Sequence, residues 1–570
     1  MANDGRTWTL AALAALTAGA ALTRKGSSAK PPKAAPQAQA FAEPQSAADR
    51  RLHSQGRAVA QQRGVRLMSL QKSQDLAARA RAAYAWITEN AVYVPVGDME
   101  FGTEPATELA FTHRPTAKPQ SFTLRPQGEA YNSFVLLPLL NLFVQKRVLL
   151  VGGPGRSKTT IAMVLSLIAG VPAKDMKRFI VRGHPQLTVA DLLGAPLPAA
   201  MMTASELKGV KVSWKDWIKA RVKLIDEYNR IPTKTQSALL SLMAEGEAEQ
   251  FDQPTSIRGQ KSGKHGGTWF LTANDDLGGG TFQVIQALKD RIDVVVRAVP
   301  FSSAFIDNLL TRVERGQKAE DLLDPEILFT TEELDGISDV IASIHVPEDV
   351  LERIGFFMGQ LDFCRRASRD IESMNKDTLK LAGKTVSDVC NEQCPLDKAQ
   401  HLCTQTETGL SARTFETILV FSKALAWFRG ETEVSWQDMK AIVPWVTRDK
   451  LQMNESSGFF EKAGNQDLLL DKTAWIRNML AMSEERWRDG QVQAERKAVH
   501  REAHGLQAAI RNPGKLTASE LDQRSQSIIH SIKKIVSEAE FSGWVYEDVL
   551  ELKRIYQGYR SLLRSGKIKK

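Results

Sequence analysis

The stretch that most limits what this chain can become is Val148–Thr160, VLLVGGPGRSKTT. Apolar residues run directly into Gly-Gly-Pro-Gly, then Arg-Ser-Lys-Thr-Thr. A short apolar run closed by glycines reads as a buried strand, and the TTIAMVLSLIAG that follows has helical spacing. Gly152, Lys158 and Thr159 fit the spacing G-x-x-x-x-[G]-K-[ST], in the strand-then-helix setting that a phosphate cradle requires. Glycines let backbone N–H groups close around phosphate oxygens, and a helix N-terminus favours the negative charge. The candidate binding surface is therefore Gly152, Gly153, Pro154, Gly155, Arg156, Ser157, Lys158, Thr159 and Thr160. Lys158 is expected to reach the β- and γ-phosphates, and Thr159 to ligate Mg²⁺. Ser157 stands where the pattern has glycine. It fits if its backbone avoids positive φ, as expected at the start of a helix, because a side chain is costly there. Taken alone, the loop also reads as a coincidental glycine-rich turn.

Three downstream segments supply the chemistry that such a loop needs. Val222–Arg230, VKLIDEYNR, delivers two adjacent carboxylates to the end of a buried strand. Asp226 is expected to hold Mg²⁺ through water, and Glu227 to act as general base on the attacking water. The bland alternative is a solvated acidic turn. A strand WFLTAN ends on Asn274, which could position the lytic water. In QALKDRIDVVV, Arg291 lies at a helix-to-strand junction. There it could project into a neighbouring subunit's nucleotide as an arginine finger, or pair with Asp290 or Asp293. Candidate buried strands are Val148–Val151, Phe179–Val181, Val222–Ile225, Trp269–Ala273 and Ile292–Val296, alternating with helical patterns. That alternation predicts an α/β domain with a parallel sheet.

These segments resemble the MoxR branch of AAA+ ATPases. DEYNRIPTKTQSALLSLMAEGE (Asp226–Glu247) is similar to that family's Walker B strand and following helix almost residue for residue. LTVADLLG (Leu187–Gly194) resembles its helix-2 region, and LTANDDLGGGTFQVIQALKDRID its sensor-1 and arginine-finger block. SARTFETILVFSKALAWFRGETEVSWQDMKAIVPWV resembles its helical lid, with Arg413 at the sensor-2 position. The family usually has Gln before the sensor-1 Asn, where this chain has Ala273. The resemblance implies a P-loop AAA+ parallel-sheet domain followed by an α-helical lid. It implies a homo-oligomeric ring, typically a hexamer, with ATP and Mg²⁺ at subunit interfaces. It also implies protein clients, remodelled or matured with a von Willebrand factor A partner. A nucleic-acid-dependent motor and a nucleotide-gated scaffold with weak hydrolysis are the alternatives.

The chain has 570 residues, enough for roughly three or four domains. Residues 1–50 are expected to be an apolar segment and flexible linker, and 51–129 a helical and irregular extension. The ATPase domain is expected over 130–318, the lid with a cysteine-containing insertion over 319–455, and a helical extension over 456–570. Thr517 and Glu520 form a capping-box pattern in that extension. Ile528, Ile532 and Ile535, then Val549, Leu552, Ile555 and Tyr559, recur at the spacing of packed helices.

The formal net charge of +9 over this length is a mild excess rather than a nucleic-acid-binding stripe. Trp8–Thr23 is uncharged but shorter than the ~20 residues a membrane helix needs, so an alanine-rich helix is preferred to a short anchor. Four cysteines in so long a chain argue against a secreted, disulfide-stapled protein, and a cytoplasmic location is expected. Cys364, Cys390, Cys394 and Cys403 fall in one segment, with His401 nearby. Zn²⁺ or an iron–sulfur cluster could staple that segment, and ordinary reduced, buried thiols are the preferred alternative. The basic loop Gly259–Gly267 reads as a pore loop or an exposed hairpin tip. Met201 and Met202 could touch a client, with burial against the sheet preferred.

Overall fold

The apolar runs become five parallel strands: β1 (Arg147–Val151), β2 (Ile180–Arg182), β3 (Val222–Asp226), β4 (Thr268–Ala273) and β5 (Val294–Arg297). Their order in the sheet is β5-β1-β4-β3-β2, with every pairing parallel. The computed structural model describes residues 68–94, 97–101, 107–111, 120–124, 128–203, 210–250, 252–257, 266–274, 290–396, 398, 400–488, 517–538 and 542–564. The apolar segment 8–23 and its linker, most of the Gly259–Gly267 loop, residues 275–289 ahead of Arg291, and 489–516 lie outside these.

Both faces of the sheet are covered, which is why its strands are continuous apolar runs rather than alternating ones. Side chains still alternate in direction. Val148, Leu150, Leu224, Phe270, Val294 and Val296 enter one core, while Leu149, Ile225, Leu271 and Trp269 enter the other. The first core is filled by helix α1 (Leu70–Ile87), α2 (Ser133–Val144) and α3 (Lys158–Ile168) together with the lid. All twelve residues of α2 are buried. Asn132 caps it by accepting the Phe134 N–H, and Asn141 donates to the Trp269 carbonyl at 3.1 Å. The second core packs around α4 (Thr233–Glu245).

After β5 comes α5 (Ile306–Glu314), then the lid: α6 (Thr331–Ser343), α7 (Glu348–Asp362), α8 (Ala412–Arg429) and α9 (Trp436–Thr447). Capping boxes at Thr330/Glu333 and Ser435/Asp438 start α6 and α9, satisfying otherwise unpaired N–H groups. Helix α8 begins at Ser411, whose side chain accepts the Thr414 N–H, and ends at Gly430 in the left-handed region. Helix α1 is tied to the lid by an Arg79–Glu333 ion pair at 2.9 Å and a Trp427-to-Ser73 hydrogen bond.

Helices α10 (Lys472–Arg488), α11 (Ala518–Glu538) and α12 (Gly543–Arg564) complete the chain. Thr517 and Glu520 do form the reciprocal cap. Ile528, Val549, Leu552, Ile555 and Tyr559 fill a third core against Phe356 and Phe363, so packing accounts for that stripe. Among the described residues no helix is long and apolar enough to cross a membrane.

One expectation is corrected here, and the metal alternative for the cysteines finds no support. The four cysteines do not converge as metal ligands, and among the described residues no three His, Cys, Asp or Glu side chains gather to hold a metal. They lie near one another, close enough to interact electrostatically, without the arrangement of a ligand set. Cys403 and Cys394 pack in the core of the C-terminal helices, Cys364 and Cys390 beside Leu379 and Val386. Burial pushes the Cys390 thiol up to about 11 and raises those of Cys403 and Cys364 as well. Met201 and Met202 are not buried against the sheet: they are 53% and 88% exposed, on the short helix Pro198–Thr203.

Candidate active site

A parallel sheet brings all its strand C-termini to one edge, and here that edge collects the expected chemistry. The loop leaves β1 at Gly152, whose N–H donates to Ala273 at the tip of β4. On the other side, the Ala298 N–H beyond β5 donates to Val151 at 2.8 Å. Gly155 sits at φ +73° with open space where a Cβ would lie, so glycine serves the backbone there rather than any packing. Lys158 opens α3 and is buried. Its Nζ donates to the Gly152 and Gly153 carbonyls at 2.6 and 2.8 Å, and to Asn274 Oδ1 at 3.0 Å. Pro154, Gly155 and Arg156 form the exposed crest, while Gly153, Ser157, Thr159 and Thr160 are half-buried.

Ser157 departs from expectation. Its backbone lies at φ 54° and ψ 15°, in the left-handed region, not at negative φ. The loop has to turn back onto the helix at this residue, and that turn is what glycine would ordinarily supply. Holding a side-chain-bearing residue there costs about 1–2 kcal/mol.

Across the edge, Asp226 closes β3 and Glu227 follows it at φ 54° and ψ 49°, a second left-handed residue. That twist breaks strand alternation and lets both carboxylates serve one site. It also demands a close approach: a Cβ at Gly183, just beyond β2, would lie 2.1 Å from the Glu227 carbonyl oxygen. Thr159 Oγ1 donates to Asp226 Oδ1 at 2.8 Å, and Asn274 Nδ2 donates to Glu227 Oε1 at 2.8 Å. Arg230 reaches Glu227 Oε2 at 3.2 Å, and Thr272 Oγ1 donates to Asp226 Oδ1 at 2.6 Å. Loop and strand tips thus form one network, Lys158–Asn274–Glu227 beside Thr159–Asp226–Thr272. A threonine hydroxyl and a carboxylate within hydrogen-bond reach are hard oxygen donors of the kind Mg²⁺ takes alongside phosphate oxygens, so the residues fit that cation.

Gly183, Arg230 and Thr272 were not singled out from the sequence. Thr272 had a signal: it lies two residues before Asn274 on a strand, hence on the same face.

Arg291 and Arg413 are placed elsewhere. Arg291 precedes β5, at the N-terminal edge of the sheet. Arg413, in the first turn of α8, pairs with Asp290 at 2.9 Å at that same edge. The five-residue strand β1 separates this edge from the loop, roughly 17 Å at a strand's rise. Arg147, at the start of β1, pairs with buried Asp293 at 2.6 Å, and Thr417 of α8 donates to the same carboxylate. Burial by itself would raise the Asp293 carboxyl, but the Arg147 guanidinium prevails and holds it below the usual carboxylate range. A cavity of 510 Å³ opens here between sheet and lid, lined by Lys146, Arg147, Trp269, Arg413, Glu416 and Lys423 among others. It is not the phosphate cradle of its own chain.

Comparison with known proteins agrees with this geometry. Residues 147–292 match the AAA domain (dynein-related subfamily), and residues 398–469 match the AAA lid domain. No curated protein matches the chain. Among solved structures, a putative ATPase from Cytophaga hutchinsonii aligns at 15% identity over 71% of this chain and 96% of that one, with a TM-score of 0.43. That likeness is too loose to support an argument. The chain thus carries the P-loop AAA+ fold, an AAA domain followed by an AAA lid.

Proposed function

We propose that the chain hydrolyses ATP with Mg²⁺ in a MoxR-like ring and uses the energy to remodel or mature a protein complex. The observation that carries the hydrolytic part is the network joining the glycine loop to two carboxylates and Asn274. Loop N–H groups and Lys158 bind the triphosphate. Thr159 and Asp226 would hold the cation, which would offset the charge of the phosphate oxygens. Glu227 takes a proton from the attacking water, which Asn274 orients. Arg291 and Arg413 stand one strand length from their own chain's loop, so they serve a neighbour's nucleotide, and a ring is the assembly that supplies one. Movement of the lid against the sheet transmits the cycle to a protein client, with a von Willebrand factor A protein as the partner expected from the resemblance.

Glu227→Gln is the test. Nucleotide binding should remain within a few-fold of wild type, while steady-state turnover falls by roughly 10²–10⁴. Turnover at the wild-type rate in that variant would remove Glu227 from its role.

A further inference from the structure

At the end of the β3–β4 ladder, the last paired residues are Ile225 and Leu271, which sets Asp226 beside Thr272 on the neighbouring strand. Glu227 then leaves the sheet in its left-handed turn, where no strand carbonyl continues the ladder to receive its N–H. The Thr272 hydroxyl takes that place, accepting the Glu227 N–H at 2.9 Å. The same oxygen carries one proton, and it gives this to Asp226 Oδ1 at 2.6 Å. Thr272 is 1% exposed, so water does not compete for either bond. One side chain therefore holds the carboxylate of one residue and the backbone of the next.

We propose that Thr272 is the positioning residue of this site, using a single hydroxyl to set both the cation-binding carboxylate of Asp226 and the turn that aims Glu227. The proposal rests on the ATPase reading above and deepens it. Thr159 also donates to Asp226 Oδ1, at 2.8 Å, but Thr159 has a second duty as a ligand of the cation. Thr272 has no such duty, so its hold on Asp226 persists when nucleotide binds. Asn274, on the same face two residues on, holds the Glu227 carboxylate while Thr272 holds its backbone. The tip of β4 thus fixes the general base at both ends.

The test compares Thr272→Val, which keeps the shape and removes the hydroxyl, with Thr272→Ser, which keeps the hydroxyl. Three readouts are made on the full chain. The first needs no nucleotide: hydrogen exchange of the segment 222–230 should quicken in the Val variant and stay near wild type in the Ser variant. The second is binding of a fluorescent ADP with and without Mg²⁺. The Val variant should need roughly 10-fold more Mg²⁺, with metal-free binding unchanged. The third is turnover, where kcat should fall roughly 10–100-fold in Val while KM for ATP moves little, with Ser recovering most of the rate. Wild-type Mg²⁺ dependence and exchange in the Val variant would overturn the proposal. So would a Ser variant as impaired as Val, because shape rather than the hydroxyl would then be at work. Should the wild-type chain show no turnover at all, the ATPase reading falls, and the exchange experiment still decides on Thr272.

Discussion

The two edges of the central sheet are built to different degrees of completion. At the C-terminal edge, one chain supplies the cradle, the lysine, both carboxylates and the polar residue between them, already joined by hydrogen bonds. At the N-terminal edge, the same strands begin among arginines held by acids: Arg147 by Asp293 and Arg413 by Asp290, with Arg291 beside them. Cations gathered in one place need something to face. Here their partners are carboxylates of their own chain, and the phosphate site lies a strand's length away. The difference teaches that a single copy joins loop, carboxylates and Asn274 at one edge and gathers acid-held arginines at the other. Two copies placed edge to edge would make one working site from unlike surfaces, the heterologous contact from which rings are closed.

The sharpest way to break that comparison is to disable the edges in separate chains. Arg291→Ala should lower turnover by roughly 10³-fold while leaving nucleotide affinity nearly unchanged if, as proposed, the arginine acts on a nucleotide its own chain does not hold. Lys158→Ala should bind no nucleotide. Mixing the two inactive proteins should restore part of the activity, since some neighbouring pairs then combine an intact loop with an intact arginine. Mixtures that stay dead at every ratio would mean that Arg291 works within its own chain or not at all.

A smaller effect separates structure from catalysis within the N-terminal edge. Asp293 is almost wholly buried, with Arg147 and Thr417 on its two oxygens. Asp293→Asn should cost about 3 kcal/mol of stability by stranding the Arg147 guanidinium, read from chemical unfolding. The pH dependence has a definite sign. The folded carboxyl titrates below its ordinary value near 3.8, so the pair stabilises the protein above that pH and is lost as pH falls through the lower folded value. The Asn variant should lack that acid limb. Arg413 and Asp290 are both more than a third exposed, so their pair contributes little stability.

How much of this was legible beforehand follows from what each feature depends on. All five strands could be read, because a buried parallel strand is a local apolar run and its neighbours do not alter that pattern. The cradle and the Asp226–Glu227 pair could be read, because their spacing along the chain is itself the signal. Thr272 could be read only in part: its spacing puts it on the face of Asn274, but its hold on Asp226 and Glu227 arises only when β4 registers beside β3. The position of Arg413 could not be read. Its motif tells which helix it starts, while packing of α8 against the base of the sheet decides which edge it meets.

The smallest predicted effect tests how complete the C-terminal edge is. Ser157 holds a left-handed backbone that an L side chain pays for, by about 1–2 kcal/mol. Glycine removes that strain but costs about 0.5–1 kcal/mol in extra freedom of the unfolded chain. Ser157→Gly should therefore change overall stability little, stabilising by about 0–1.5 kcal/mol. Its gain should appear in the loop, where the phosphate-ready shape no longer works against its own residue. Binding of fluorescent ADP should tighten, by up to about 5-fold. Ser157→Ala is the control, because alanine pays the same left-handed cost and should not reproduce the gain. If alanine tightens binding as much as glycine does, the serine hydroxyl rather than the backbone is what holds the loop back. The edge that one chain completes alone would then be limited by a side chain, not by its turn.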